Sequence, residues 1–313
     1  MDKEYICGVG AANVDIHGKS TYPIITRNSN WGAISQSTGG VTRNVLENLS
    51  RLGENVQLIS SIGDDVFGEK IVEDCKAENI GIEHSYYAKN HPSSSYISVL
   101  NDDGDMFVAL SDMSVINEMP LSHLEAKAGI IKGAKLVTID PCLNDGQIEK
   151  VLDLCEEAGV PVFCDPVSIG YAKRIKPYVG RIHTIKPNEL ELEALTDVEI
   201  RCEEDFAKAA QVLLDRGVKR VFVSRGSLGA EYYDNSGLCI KRAFKNIKMV
   251  NATGAGDSFA AAVEYAFAHD FDIDKTLDYA LAAGAAAVGS ERTINPNISE
   301  ELLLDIIKEN KGE

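Results

Sequence analysis

The residues best suited to chemistry lie in Asn251-Ala252-Thr253-Gly254-Ala255-Gly256-Asp257, just ahead of Ser258-Phe259-Ala260-Ala261-Ala262. A Gly-Ala-Gly turn lets consecutive backbone N–H groups point outward. A helix starting there adds the partial positive charge of its N-terminus. Such a nest suits the charge that develops on a transferring phosphoryl group. Asp257, in the first helical turn, could accept the proton of an attacking hydroxyl. A tight turn followed by an ordinary helix cap fits the same residues equally well.

Three other segments carry groups of complementary kinds. Gly39-Gly40-Val41-Thr42-Arg43-Asn44 opens a helical pattern; paired glycines admit a ligand close to the backbone, and Asn44 offers a donor and an acceptor to a diol. Asn13-Val14-Asp15 puts an amide and a carboxylate on one side of an extended segment, apt for vicinal hydroxyls. In Lys186-Pro187-Asn188-Glu189-Leu190-Glu191, Asn188 and Glu191 share a helical face and could hold a hydrated Mg²⁺ beside a triphosphate. Each has a plainer alternative: a turn and helix start for the first, a turn-forming pair for the second, a capping box for the third. Two other glycine motifs are decoys. Gly8-x-Gly10 has Asn13 where the third glycine of a dinucleotide fingerprint belongs, and Gly18-Lys19-Ser20 lacks the earlier glycine of a P-loop.

The elements that must position these residues alternate between strand and helix. Tyr5–Gly10, Val56–Ser60, Lys135–Ile139, Val160–Cys164, Ile182–Ile185 and Arg220–Ser224 read as strands. Thr42–Leu52, Val66–Glu78, Gln147–Ala158, Asn188–Leu195 and Glu203–Arg216 read as helices between them. That spacing predicts a mostly parallel sheet covered on both faces. Residues 14–38 and 94–115 break the rhythm: the first is turn-rich and strand-like, the second a hairpin around Asn101-Asp102-Asp103-Gly104. Together they predict a small lid sheet on one domain spanning 1–313. A β-meander through Tyr233 and Ile240, two Ala-rich helices (Gly254–His269 and Asp274–Gly289) and a last amphipathic helix (Ser299–Asn310) complete the pattern.

Composition narrows the partners. The 313 residues carry 31 Lys and Arg against 48 Asp and Glu, a net charge of −17. That argues against a nucleic-acid backbone or an anionic membrane as the main partner, though not against an anionic small substrate. No run reaches the roughly 20 apolar residues of a bilayer span, and no secretory leader is evident at the N-terminus. The seven cysteines form no CxxC pair and several sit in apolar runs. They read as reduced core residues, and the expected compartment is the cytoplasm.

The succession Asn13/Asp15, Gly39-Gly40…Asn44, Asn188…Glu191, Ser224-Arg225-Gly226 and Gly254-Ala255-Gly256-Asp257 resembles the ribokinase (PfkB) family of sugar and nucleoside kinases, over essentially the whole chain. The resemblance implies a ribokinase-like α/β fold with a small β lid, and the use of ATP and Mg²⁺. It implies Asp257 as general base and Gly254, Ala255 and Gly256 as an anion hole. Asn13, Asp15, Gly39, Gly40 and Asn44 match positions that hold the sugar hydroxyls. Lys186, Asn188, Ser224, Gly226, Gly229 and Thr253 fall on the nucleotide side, and Asn188 with Glu191 on the magnesium-associated N-x-x-E motif.

Finer features, including Val-Thr-Arg-Asn after the glycine pair, Ser94-Ser95-Tyr96-Ile97-Ser98 and Asp165-Pro166-Val167-Ser168, are similar to the branch that phosphorylates the 5′-hydroxyl of pseudouridine. Tyr96, Asp112 and Met113 are then expected to contact the base. Other acceptors (ribose, fructose, uridine or another nucleoside) and a sugar-sensing regulator without catalysis are the alternatives. The acid that commonly begins D-T-x-G-A-G-D is Asn251 here. In many relatives it helps form a potassium site, so a K⁺ requirement is not carried over to this chain. A homodimer through the exposed edge of the lid sheet is the expected assembly.

Overall fold

A computed structural model describes residues 4–245 and 247–312. In chain order the strands are β1 (Ile6–Val9), β2 (Asn13–Ser20), β3 (Gly32–Gly39), β4 (Val56–Ile59), β5 (Ser61–Gly63), β6 (Ile80–Gly81), β7 (Tyr86–Ala88), β8 (Ser95–Leu100) and β9 (Met106–Asp112). They continue with β10 (Val137–Ile139), β11 (Val162–Cys164), β12 (Thr184–Ile185), β13 (Arg220–Ser224), β14 (Ala230–Asp234) and β15 (Cys239–Arg242). The first six helices are α1 (Val41–Arg51), α2 (Val66–Ala77), α3 (Leu121–Ala126), α4 (Ala128–Gly133), α5 (Asp145–Ala158) and α6 (Ile169–Ile175). The remaining five are α7 (Glu189–Thr196), α8 (Glu203–Asp215), α9 (Ala255–Ala268), α10 (Ile273–Val288) and α11 (Glu300–Lys311).

The main sheet runs β15-β14-β13-β12-β11-β10-β1-β4-β6. It is parallel from β6 to β13 and antiparallel at β14 and β15. Its central strands are short apolar runs buried on both faces, the signature of a parallel sheet under two helical layers. Cys7 and Val9 of β1 point into one hydrophobic cluster with Val151, Leu192 and Leu213, while Ile6 points into the other with Leu46, Leu58, Ala261 and Ala283. In that second cluster the alanines of α9 and α10 let the two helices pack closely: Ala261, Ala262, Ala266, Ala280, Ala282 and Ala283 are all fully buried.

A second sheet has the order β3-β2-β8-β9, with β2 parallel to β8 and the other pairs antiparallel. Alternation gives it two unlike faces. Asn13, Asp15 and His17 share one face with Gly39, Ser37 and Ser35 across β3, and Asp15 and His17 lie beside Tyr96 and Ser98 of β8. The opposite face carries Ile16, Ile34, Ile97 and Leu110, of which Ile34 and Leu110 are well exposed. Among the described residues, β5 and β7 form a third, two-stranded sheet. Among the described residues, no helix is long and apolar enough to cross a membrane.

Candidate active site

The loop entering α9 turns at Gly254, whose φ of 79° lies in the left-handed region and whose missing Cβ would overlap the Thr293 carbonyl. Ala255 and Gly256 therefore open the helix, and Asp257 sits in its first turn. Upstream, Asn251 staples this loop: Oδ1 accepts from Thr253 N–H (3.0 Å) and Nδ2 donates to the Glu291 carbonyl (3.3 Å). Helix α1 clasps α9 at two successive turns. Asn44 Nδ2 donates to Asp257 Oδ2 at 2.8 Å, and Ser258 Oγ donates to Asn48 Oδ1 at 3.1 Å.

The C-terminal ends of the parallel strands converge on this helix start, the place where α/β sheets bind ligands. Lys186, just past β12, ion-pairs with Asp165, just past β11, at 2.7 Å. A Cβ at position 256 would stand 3.1 Å from Lys186 Nζ, so the lysine lies against the Gly-Ala-Gly turn. Burial alone would lower the Lys186 pKa, but the Asp165 and Glu191 carboxylates, helped by Asp257, hold it raised. Asp257 is pushed up to about 7, chiefly by burial and then by the Asp165 charge, against the pull of Asn44 and Lys186. Glu191 is pushed up to about 6 by burial and by Asp165. Val167, beside this cluster, holds a φ of 66°, unusual for a β-branched residue, while its N–H donates to Asp165 Oδ1 at 2.8 Å.

Asn188 and Glu191 form the capping box of α7: Asn188 Oδ1 accepts from Glu191 N–H and Glu191 Oε2 accepts from Asn188 N–H, both at 2.9 Å. Asn188 also bridges to Ser224, the last residue of β13, and Ser224 N–H donates to the Pro187 carbonyl at 3.0 Å. Beyond Ser224 the chain turns at Gly226 and Gly229, both with positive φ. Arg225 holds that turn by pairing with Glu203 and with buried Glu231, its guanidinium 4.0 Å above the Phe206 ring.

The polar face of the second sheet closes the arrangement. Asn13 Nδ2 donates to Asp15 Oδ1 at 2.6 Å, as their shared side of an extended strand requires. The Asp15 carboxylate lies where a Cβ of residue 39 would be, so Gly39 makes room for it, and Gly40 opens α1 with a φ of 99°. Next along the face, His17 Nδ1 lies 2.7 Å from Ser98 Oγ, with Tyr96 edge-on to the imidazole. Asp112 lies apart from Tyr96. The register sets it opposite Ser95, on the face away from Tyr96, and its Oδ1 accepts from Ser114 N–H at 2.9 Å. Ser111 occupies the position beside Tyr96 instead, and Met113 lies beyond β9 where the next turn starts.

Residues 3–300 match the pfkB family carbohydrate kinase description. The chain belongs to this family. It is 30% identical to the pseudouridine kinase of Escherichia coli, covering 98% of this chain and 97% of that protein. A solved structure from Clostridium perfringens superposes with a TM-score of 0.86 at 30% identity, covering 99% of this chain and 97% of the other. The ribokinase of Arabidopsis thaliana complexed with ribose and ATP superposes with a TM-score of 0.86 at 22% identity, covering 97% and 99%. This pfkB kinase is thus an ATP-dependent phosphotransferase acting on a sugar or nucleoside, with the ribokinase-like fold.

Several residues of the candidate site escape a reading of motifs. Asp140, fully buried after β10, accepts from Ala11 N–H (2.8 Å), Thr42 Oγ1 (2.7 Å) and Cys142 N–H (2.9 Å), tying β1 to the start of α1. Asp165 plays a similar part after β11. Both show one weak sequence signal, an acid placed directly after a short apolar strand. Arg43 and Asn48 lie in plain view in the α1 pattern, but their contacts depend on helix packing.

Proposed function

We propose that the chain transfers the γ-phosphoryl group of ATP to the 5′-hydroxyl of pseudouridine. The observation that carries this reading is the half-buried Asp257 at the start of α9, bonded to Asn44 and close enough to Asp15 of the polar sheet face to feel its charge. Asp15 and Asn44 grip the sugar hydroxyls and bring the 5′-oxygen toward Asp257. As that oxygen bonds to the γ-phosphorus, its proton passes to Asp257 and the bond from the γ-phosphorus to the β,γ-bridging oxygen breaks, releasing ADP. The Gly254, Ala255 and Gly256 amides, with the Lys186 ammonium beside them, meet the charge on the equatorial oxygens. Ser224, Gly226, Gly229 and Thr253 border the nucleotide.

Members of the family use ATP with Mg²⁺. Glu191 fits a role in holding the ion: one oxygen is committed to the capping box, and the raised pKa marks a carboxylate short of compensating positive charge. Asn188 supports it through the same box, and bound Mg²⁺ would neutralise the β- and γ-phosphate oxygens. The second sheet, from segments 14–38 and 94–115, acts as the lid that excludes water, and its exposed apolar face is the surface for a lid-to-lid homodimer.

ADP release measured with pseudouridine, uridine, ribose and fructose tests the assignment. Pseudouridine should show the highest kcat/KM. A higher value on any of the others moves the acceptor elsewhere in the family, and ATP consumption with none of them sinks the reading.

A further inference from the structure

Arg43 stands between the glycine pair and Asn44, and it is 3% exposed. Its Nη1 reaches two acceptors: Glu47 Oε2 at 2.5 Å and Asn44 Oδ1 at 3.3 Å. Glu47 Oε1 in turn accepts from Arg51 Nε at 3.0 Å. Arg51 is anchored outside α1, through Nη2 to Glu78 Oε1 (2.6 Å) and Nη1 to the Pro296 carbonyl (2.9 Å). A row of alternating charges thus runs along one side of α1 and ends on a neutral carboxamide, that of Asn44.

A carboxamide has two ends of similar shape and opposite hydrogen-bonding character. With Oδ1 held by Arg43, Nδ2 is the end that meets Asp257. We propose that Arg43 is a positioning residue, fixing the Asn44 carboxamide so that its donor faces Asp257. If the amide turned over, a carbonyl oxygen would face the carboxylate, and the protonated acid would be favoured.

The other groups facing Asp257 are Asp15 from β2, Asp165 after β11 and Lys186 after β12. None of them changes hydrogen-bonding sense with Arg43, although Arg43 lends its positive charge to Asp15. The consequence for turnover rests on the proposed role of Asp257 as base; the orientation itself does not.

Carbon-13 carboxyl NMR of the aspartate-labelled full chain reads that orientation without any acceptor, with the Asp257 resonance identified by its loss in Asp257→Asn. Arg43→Met and Arg43→Lys should each raise the Asp257 midpoint by about one pH unit. Lysine keeps the charge but replaces the planar guanidinium, whose Nη1 serves both Glu47 and Asn44, by a freely rotating ammonium on a different stem, so it separates orientation from electrostatics and also serves if the methionine variant fails to fold. In an Asn44→Ala background, Arg43→Met should add no further shift. An unmoved midpoint in Arg43→Lys, or an equal shift with Asn44 removed, overturns the proposal. Lack of turnover by the wild type would instead sink the proposed function and leave the titration result standing.

Discussion

Asn44 Nδ2 lies 2.8 Å from Asp257 Oδ2, joining residues 213 positions apart in the chain. A carboxylate that accepts one amide N–H keeps its second oxygen for a ligand, and the amide resists the protonation that burial favours. Asp257→Asn should leave the fold intact while lowering kcat by about 10²–10⁴-fold, the span attributed to a positioned base. Circular dichroism and initial rates check this together; near-wild-type turnover in a folded variant removes Asp257 from that role.

The pH dependence follows from the same group. Burial and Asp165 raise the Asp257 pKa to about 7, so the proton-accepting form is lost as pH falls through that value. The acidic limb of kcat/KM should have its midpoint near there in wild type, well above the range of an ordinary aspartate. A limb that stays flat down to the ordinary carboxylate range contradicts the assignment.

Glu264 of α9 supplies a stability prediction. It is 3% exposed, and among the described residues Oε2 has no hydrogen-bond partner. Burial pushes its pKa up to about 8, against a hydrogen bond with Thr138 and with the Asp165 charge adding to the rise. The folded state therefore binds a proton that the unfolded state has released, between the ordinary 4.5 and about 8. Stability from this group is full below that window and falls as pH rises through it, at about 1.4 kcal/mol per unit. Glu264→Gln carries no such dependence, so its Tm should gain on wild type across the window and level off above it. Parallel Tm curves would refute this.

Gly254→Ala tests the turn. A φ of 79° with the Thr293 carbonyl in the way makes alanine strained there. A loss of roughly 1–3 kcal/mol in stability is expected. Turnover should fall as well, because the amides that open α9 must shift. Urea unfolding and rates on the same sample measure both; an unaffected kcat would argue against a catalytic use of those amides.

Much of this was legible beforehand. Apolar runs such as Lys135–Ile139 and Val160–Cys164 announce the buried parallel strands Val137–Ile139 and Val162–Cys164, and the alternation of Asn13 and Asp15 puts both side chains on one face. The capping box at Asn188 and Glu191 follows from spacing alone, though its use beside a triphosphate does not. Shorter elements were out of reach: β5, β6 and β7 have two or three residues, and α3, α4 and α6 six or seven, too few to display a period. The placement of Asp112 was out of reach for a different reason. In a strand, one residue of register decides the face, and only pairing with β8 shows that Ser111 stands beside Tyr96.

By itself the amino-acid order determined the local geometry: which turns need glycine, where helices start, which residues a strand sets on one side. These depend on φ, ψ and a few neighbouring bonds. The tertiary structure decided the electrostatics. Asp15, Asp165, Lys186 and Asp257 come from separate parts of the chain, and the proton affinity of Asp257 is set by their closeness and by the water they exclude. The orientation of Asn44 between Arg43 and Asp257 is of the same kind, because no local rule chooses which end of a carboxamide faces a distant helix.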